Sequence, residues 1–171
     1  MSFAGTLEAI FITDTEGGEM RRLESATLVT NRGIEGDRYC NAQGKFSNTE
    51  HVPAAQQVTL IEAESIEAVQ RDQNIDLEPA QSRRNLLTRG VPLNHLVDQD
   101  FRIGGVRLRG IKLCEPCGYL EKLTDRSDLR KALLHRGGLR AQIAQGGDIN
   151  VGDTIVALGE ATLTERDVVQ T

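Results

Sequence analysis

The chain has 171 residues, 39% of them apolar and 26% charged, and carries a formal net charge of −5. These are ordinary globular proportions, long enough for one sizeable core, and the modest acidity argues against a general nucleic-acid binder. Aromatic residues make up 4% of the chain and Trp is absent, which excludes base stacking as the main activity.

Met1 to Thr6 lack a basic segment followed by a long apolar one, so no secretory signal is expected. No stretch approaches the roughly 20 apolar residues that cross a bilayer. Three cysteines, an odd number, do not make the disulfide framework of a secreted domain. The expectation is one cytoplasmic domain over 1–171, with its core at about 6–158 and a loosely attached polar tail at 159–171.

In chain order, Thr6 to Ile12 reads as a strand with Leu7, Ala9 and Phe11 on one face, although Ile10 and Ile12 blur the alternation. Asp14 to Glu19 is a turn through Gly17-Gly18. Ala26 to Val29 is a second short apolar run. Gly33-Ile34-Glu35-Gly36-Asp37-Arg38 follows, where two glycines set a tight path expected to expose Asp37 and Arg38. Asn41 to Pro53 reads as a polar loop. Gln57 to Ile61 is a strand that leads into the clearest helix, about Glu62 to Arg71, with Ile61, Ser65, Ala68 and Val69 inward.

Arg84 to Thr88 and Arg102 to Leu113 read as strands, the second interrupted at Gly104-Gly105. Leu120 to Leu123 and Asp128 to Leu134 read as short helices, and Arg136-Gly137-Gly138 as a glycine helix stop. Leu139 to Ile143 and Thr154 to Leu158 are the last strands, separated by turns at Gln145 to Asp148 and Val151 to Asp153. Many short strands with glycine turns and few helices predict a mixed α/β, strand-rich fold: a curved sheet or barrel with helical additions, and not a regular βαβ alternation.

Cys114-Glu115-Pro116-Cys117 carries the chemistry. Paired thiols raise redox, metal and sulfur chemistry. A thioredoxin-like site, as that fold is known, needs a further proline downstream of the pair, and none of Pro53, Pro79, Pro92 and Pro116 follows it. A structural zinc site needs about four ligands, and Cys40, His51, His95 and His135 can complete one, but not as a second closely spaced pair. Both cysteines can also be inert buried hydrophobes.

Several further segments narrow the choice. Arg83 to Gly90 (RRNLLTRG), Leu93-Asn94-His95-Leu96, Phe101-Arg102-Ile103-Gly104 and Leu113 to Cys117, in that order, resemble the core of the MOSC domain, named for the C-terminal domain of molybdenum cofactor sulfurase. Gly33 to Arg38 is similar to the family's Gly-x-x-Gly-Asp element. His135 to Ala141, with Gly147-Asp148-Ile149 and Val151-Gly152-Asp153 behind it, matches as well. The resemblance spans about Thr6 to Leu158.

It implies a MOSC-like β-barrel with a few peripheral helices, and a link to the molybdenum cofactor or to sulfur carriage. The expected partners are that cofactor or a sulfur donor or acceptor protein, with neither nucleic acid nor membrane involved. The chain resembles a small stand-alone member. The resemblance implies no room for the pyridoxal-phosphate sulfurase domain of the fused relatives, and the chain is expected to be without the extra N-terminal domain of the molybdenum-containing reductases of N-hydroxylated compounds. Such a reductase is the alternative function, and a zinc-stabilised non-enzymatic module a further one.

Cys117 aligns with the family's characteristic cysteine and is the expected reactive sulfur and molybdenum ligand, with Cys114 auxiliary. A helix starting at Gly118 would turn free N–H groups toward that sulfur. Arg83, Arg84 and Asn85 offer fork-shaped and amide donors to an anionic pterin phosphate or molybdenum–sulfur centre. Arg136 and Gly137 are expected to approach a phosphate. Arg38, paired with Asp37, is expected to shape the barrel mouth.

Overall fold

The computed structural model describes residues 1–41 and 52–159. Most of the polar loop after Asn41, including His51, and the tail beyond Gly159 lie outside the described residues. The strands in chain order are β1 (Ala4–Ile12), β2 (Arg21–Leu23), β3 (Ser25–Val29), β4 (Gly33–Ile34), β5 (Val58–Glu62), β6 (Leu86–Arg89), β7 (Asp100–Ile103), β8 (Val106–Leu113), β9 (Leu139–Gln145), β10 (Gly147–Asn150) and β11 (Thr154–Ala157). The helices are α1 (Ala63–Gln73), α2 (Gly118–Thr124) and α3 (Leu129–Ala132).

Seven strands close on themselves in the order β11-β7-β8-β9-β5-β6-β1, with β1 returning to β11 through Ala4↔Val156 and Thr6↔Thr154. Closure removes the open edges that an unpaired sheet would present. The β5–β6 pair is parallel and the other barrel pairs are antiparallel. The far end of β1 also carries β2, and β10, β3 and β4 form a separate three-stranded sheet. The expected strand-rich barrel with a few peripheral helices is the fold observed.

A bulge in β1 decides how the two cores divide. Its pairing with β6 shifts between Leu7 and Ala9. Leu7 points into the barrel, and after the bulge Ile10 and Ile12 do so, beside Phe101, Leu60 and Leu139. Ala9 and Phe11 turn outward. There they meet Ile61 of β5, Leu87 of β6, Ile66 and Val69 of α1, Leu120 of α2 and Leu129 of α3. The single face of Leu7, Ala9 and Phe11 read from the sequence is therefore corrected, because one extra residue exchanges the two sides of a strand.

Helix α1 buries Ala63, Ser65, Ile66, Ala68 and Val69 and ends at Asn74, whose φ of 53° and N–H bond to the Gln70 carbonyl stop it. The Gly147-Asp148 pair, read as a turn, lies in β10 and pairs with Leu28 and Thr27 of β3. Two-residue β4 and three-residue β2 have no sequence period long enough to see.

Candidate functional site

Three pieces of backbone converge where β6 begins, and Arg84 joins them. Its side chain is nearly buried, and three of its nitrogens donate to carbonyls. Nε bonds Gly137 O at 2.8 Å, Nη2 bonds Cys114 O at 3.1 Å and Nη1 bonds Ser82 O at 3.3 Å. The Cys114 N–H in turn bonds the Gly138 carbonyl at 2.7 Å. Charge-assisted bonds to three carbonyls fix the cysteine loop against the start of β9.

The double glycine explains why the loop can lie there. A Cβ on Gly137 would sit 2.4 Å from the Cys114 carbonyl oxygen and 3.0 Å from Pro116 Cδ. Gly138 has φ +109°, and a Cβ there would sit 1.9 Å from the Leu60 carbonyl oxygen. Only residues without side chains allow this approach. Arg136-Gly137 was expected to receive a phosphate. Instead Gly137 seats the cysteine loop, while Arg136 donates to Ala132 O at 2.7 Å and pairs with Asp72 at 3.3 Å. Neither lines the cleft described below.

Held this way, the loop separates its two thiols. Cys114 is 1% exposed and Cys117 is exposed; both are free, as is buried Cys40. The structure does not bring Cys114 into the cleft. Cys117 precedes α2 and lines a small cleft together with Arg38, Arg83, Arg84 and Arg140. Tyr39, Thr59 and Tyr119 complete its polar wall, and Glu16 is its one carboxylate among the described residues. In a chain of net charge −5, four guanidinium groups around one exposed thiol invert the local charge.

Arg38 and Asp37 are buried, at 5% and 0% exposure, which corrects the expectation that the glycine path exposes them. Asp37 accepts from Thr13 N at 3.1 Å, Tyr39 N at 3.3 Å and Arg38 Nη1 at 3.2 Å. Burial pushes its carboxyl above the usual carboxylate range, against the pull of Arg38 and the backbone donors. Arg38 lies over the Tyr39 ring at 4.3 Å and donates to the Arg83 carbonyl at 3.4 Å. It is thus an oriented cleft cation.

Arg83 caps a short 3₁₀ turn at φ 62° and donates from Nη1 to Gly18 O at 2.7 Å. Burial, reinforced by the Arg38 charge, lowers its pKa from the ordinary arginine value. Tyr119 hydrogen-bonds Glu16 at 3.3 Å across the mouth, and burial together with the Glu16 charge raises its pKa.

Asn85, expected among the ligand-binding donors, is fully buried and spent elsewhere. Its Oδ1 accepts from the Thr59 N–H and hydroxyl, both at 3.1 Å, and its Nδ2 donates to Phe11 O at 3.1 Å. It stitches β5 to β1 and does not reach the cleft. Arg140, which sequence reasoning left unassigned, does reach it. Alternation along β9 was the available signal, since its neighbours Leu139 and Ala141 are fully buried on the opposite face.

Among the described residues, no three His, Cys, Asp or Glu side chains group where they would hold a metal ion. Cys40, His95 and His135 therefore do not assemble a zinc site, and His135 pairs instead with Glu115 at 3.5 Å. None of the helices described is long and apolar enough to cross a membrane.

Residues 47–156 match the family model described as MOSC domain, which is most of the chain. The chain belongs to the MOSC domain family. MOSC domains are associated with the molybdenum cofactor. Solved structures share the fold. The YUAD protein from Bacillus subtilis superposes with a TM-score of 0.76 at 17% identity, over 92% of this chain and 97% of that one. YiiM from Escherichia coli gives 0.64 at 17% identity, over 94% and 71%, and YiiM from Geobacillus stearothermophilus gives 0.67 at 11%, over 91% and 75%. No curated protein matches the chain.

Proposed function

We propose that the cleft binds molybdenum cofactor, with Cys117 as thiolate ligand to the metal. The observation that carries this reading is the exposed Cys117 lining one cleft with Arg38, Arg83, Arg84 and Arg140. The donor set fits the group. Cys117 offers one soft donor, and no cluster of metal-binding side chains stands with it among the described residues. A metal held here must arrive with most of its ligands already in place, as one bound to an organic cofactor does. The guanidinium groups suit its anionic phosphate. When bound, the cofactor supplies the redox chemistry. The chain's own residues bind and orient it.

The test is to purify the protein from cells able to make the cofactor, under reducing and anaerobic conditions, and to measure molybdenum and pterin together. Stoichiometric amounts of both that vanish in Cys117→Ala support the reading. Their repeated absence from the wild-type protein overturns it.

A second reading uses the same sulfur as a persulfide carrier that passes sulfur to a partner protein. The exposure of Cys117 favours it, because a partner's thiol can reach the sulfur. An assay on N-hydroxylated bases with an added reductant separates the possibilities. Turnover lost with Cys117 indicates the reductase alternative. Sulfur or cofactor transfer without turnover indicates the carrier.

A further inference from the structure

A second groove lies beside the Cys117 cleft and shares Gly17 and Arg83 with it. It is open to solvent, and its apolar lining is Met20, Ala80 and Leu123. Leu123 is 38% exposed, one of only three large hydrophobic side chains left exposed among the described residues. The Met20 sulfur accepts from Arg38 Nη1 at 3.6 Å, so the groove lining touches a cleft arginine.

Gly17 keeps the wall between the cavities thin. Its φ is +70°, and a Cβ there would sit 3.6 Å from the Tyr119 hydroxyl and 3.7 Å from Leu123 Cδ2. A longer side chain would fill the space between this loop and α2. Arg83 stands at the junction. Its one side-chain hydrogen bond among the described residues runs from Nη1 to Gly18 O, which leaves its Nε and Nη2 donors for a ligand.

We propose that this groove is a subsite for a small organic anion with a ring-sized apolar body. The carboxylate, sulfonate or phosphate head pairs with the unspent donors of Arg83, and the body covers Met20, Ala80 and Leu123. Glu19 is the one carboxylate on the groove among the described residues, and its charge directs the anionic head toward Arg83. The subsite shares Arg83 with the cleft beside Cys117, but its apolar half, at Met20, Ala80 and Leu123, lies outside that cleft.

The probe is 1-anilinonaphthalene-8-sulfonate, titrated into the native full-length protein and followed by its emission. One saturable site is expected, weakened about tenfold by Leu123→Gln, which loses apolar contact, and about tenfold by Arg83→Gln, which loses the charged donors. Cys117→Ala leaves the affinity unchanged, so this result stands or falls apart from cofactor content. Leu123 is exposed, so its variant should keep the wild-type circular dichroism. Unchanged affinity in both variants, or non-saturating uptake at many sites, overturns the proposal.

Discussion

Arg84 Nη2 donates to the Cys114 carbonyl at 3.1 Å, so the arginine motif before β6 holds the cysteine loop by its backbone. The side chain acts here through geometry as well as charge. Arg84→Gln keeps an amide but cannot span three carbonyls, and is expected to lower stability by about 3 kcal/mol in urea denaturation. Arg84→Lys should recover little of that loss, because an ammonium lacks the planar fork.

Thiol accessibility follows from the same loop. Cys117 should react with iodoacetamide in the native protein, while Cys40 and Cys114, both buried, should react only after unfolding. Mass spectrometry of native and denatured samples counts the labels. One native label on Cys117 is expected. A native label on Cys114 would mean that the loop does not lie on Gly137.

Arg140 adds charge to the cleft without holding the fold together. Its side chain makes one hydrogen bond among the described residues, from Nη1 to Ala55 O at 3.3 Å. Arg140→Ala should leave the thermal midpoint nearly unchanged and weaken binding of a phosphate-bearing anion about tenfold, with a shallower salt dependence. Calorimetric titration at two ionic strengths measures both effects.

Away from the site, Asp100 contributes to the acid limb of stability. Burial acts to raise its pKa, but Arg107 and Arg109 outweigh burial and hold it below the ordinary value. The unfolded state therefore binds more protons as pH falls through this range. The contribution is complete above the unfolded value of about 3.9 and is lost as pH drops through the lower folded value. Asp100→Asn should be less stable than wild type by about 1 kcal/mol at pH 6, with the gap closing below pH 4 in urea titrations.

Much of the fold was legible in the sequence. The long strands, the Gly104-Gly105 interruption between β7 and β8, and α1 all announce themselves by period and glycine. The β1 bulge was not legible, since it inverts the faces at a point where Ile10 and Ile12 make both registers apolar. The site was legible in its chemistry and less so in its geometry. Cys117, Arg38, Arg83 and Arg84 reach the cleft. Asn85, Arg136 and Gly137 belong to motifs of the same look, but their hydrogen bonds and close contacts serve the scaffold. Side-chain direction beyond a strand end or a left-handed residue is set by tertiary contacts, which local spacing does not encode.

The most direct measurement is X-ray absorption at the molybdenum edge of protein purified with its cofactor, comparing wild type with Cys117→Ser. Cys117 as metal ligand predicts one sulfur fewer around molybdenum in the variant. Identical sulfur coordination in the two proteins would contradict it.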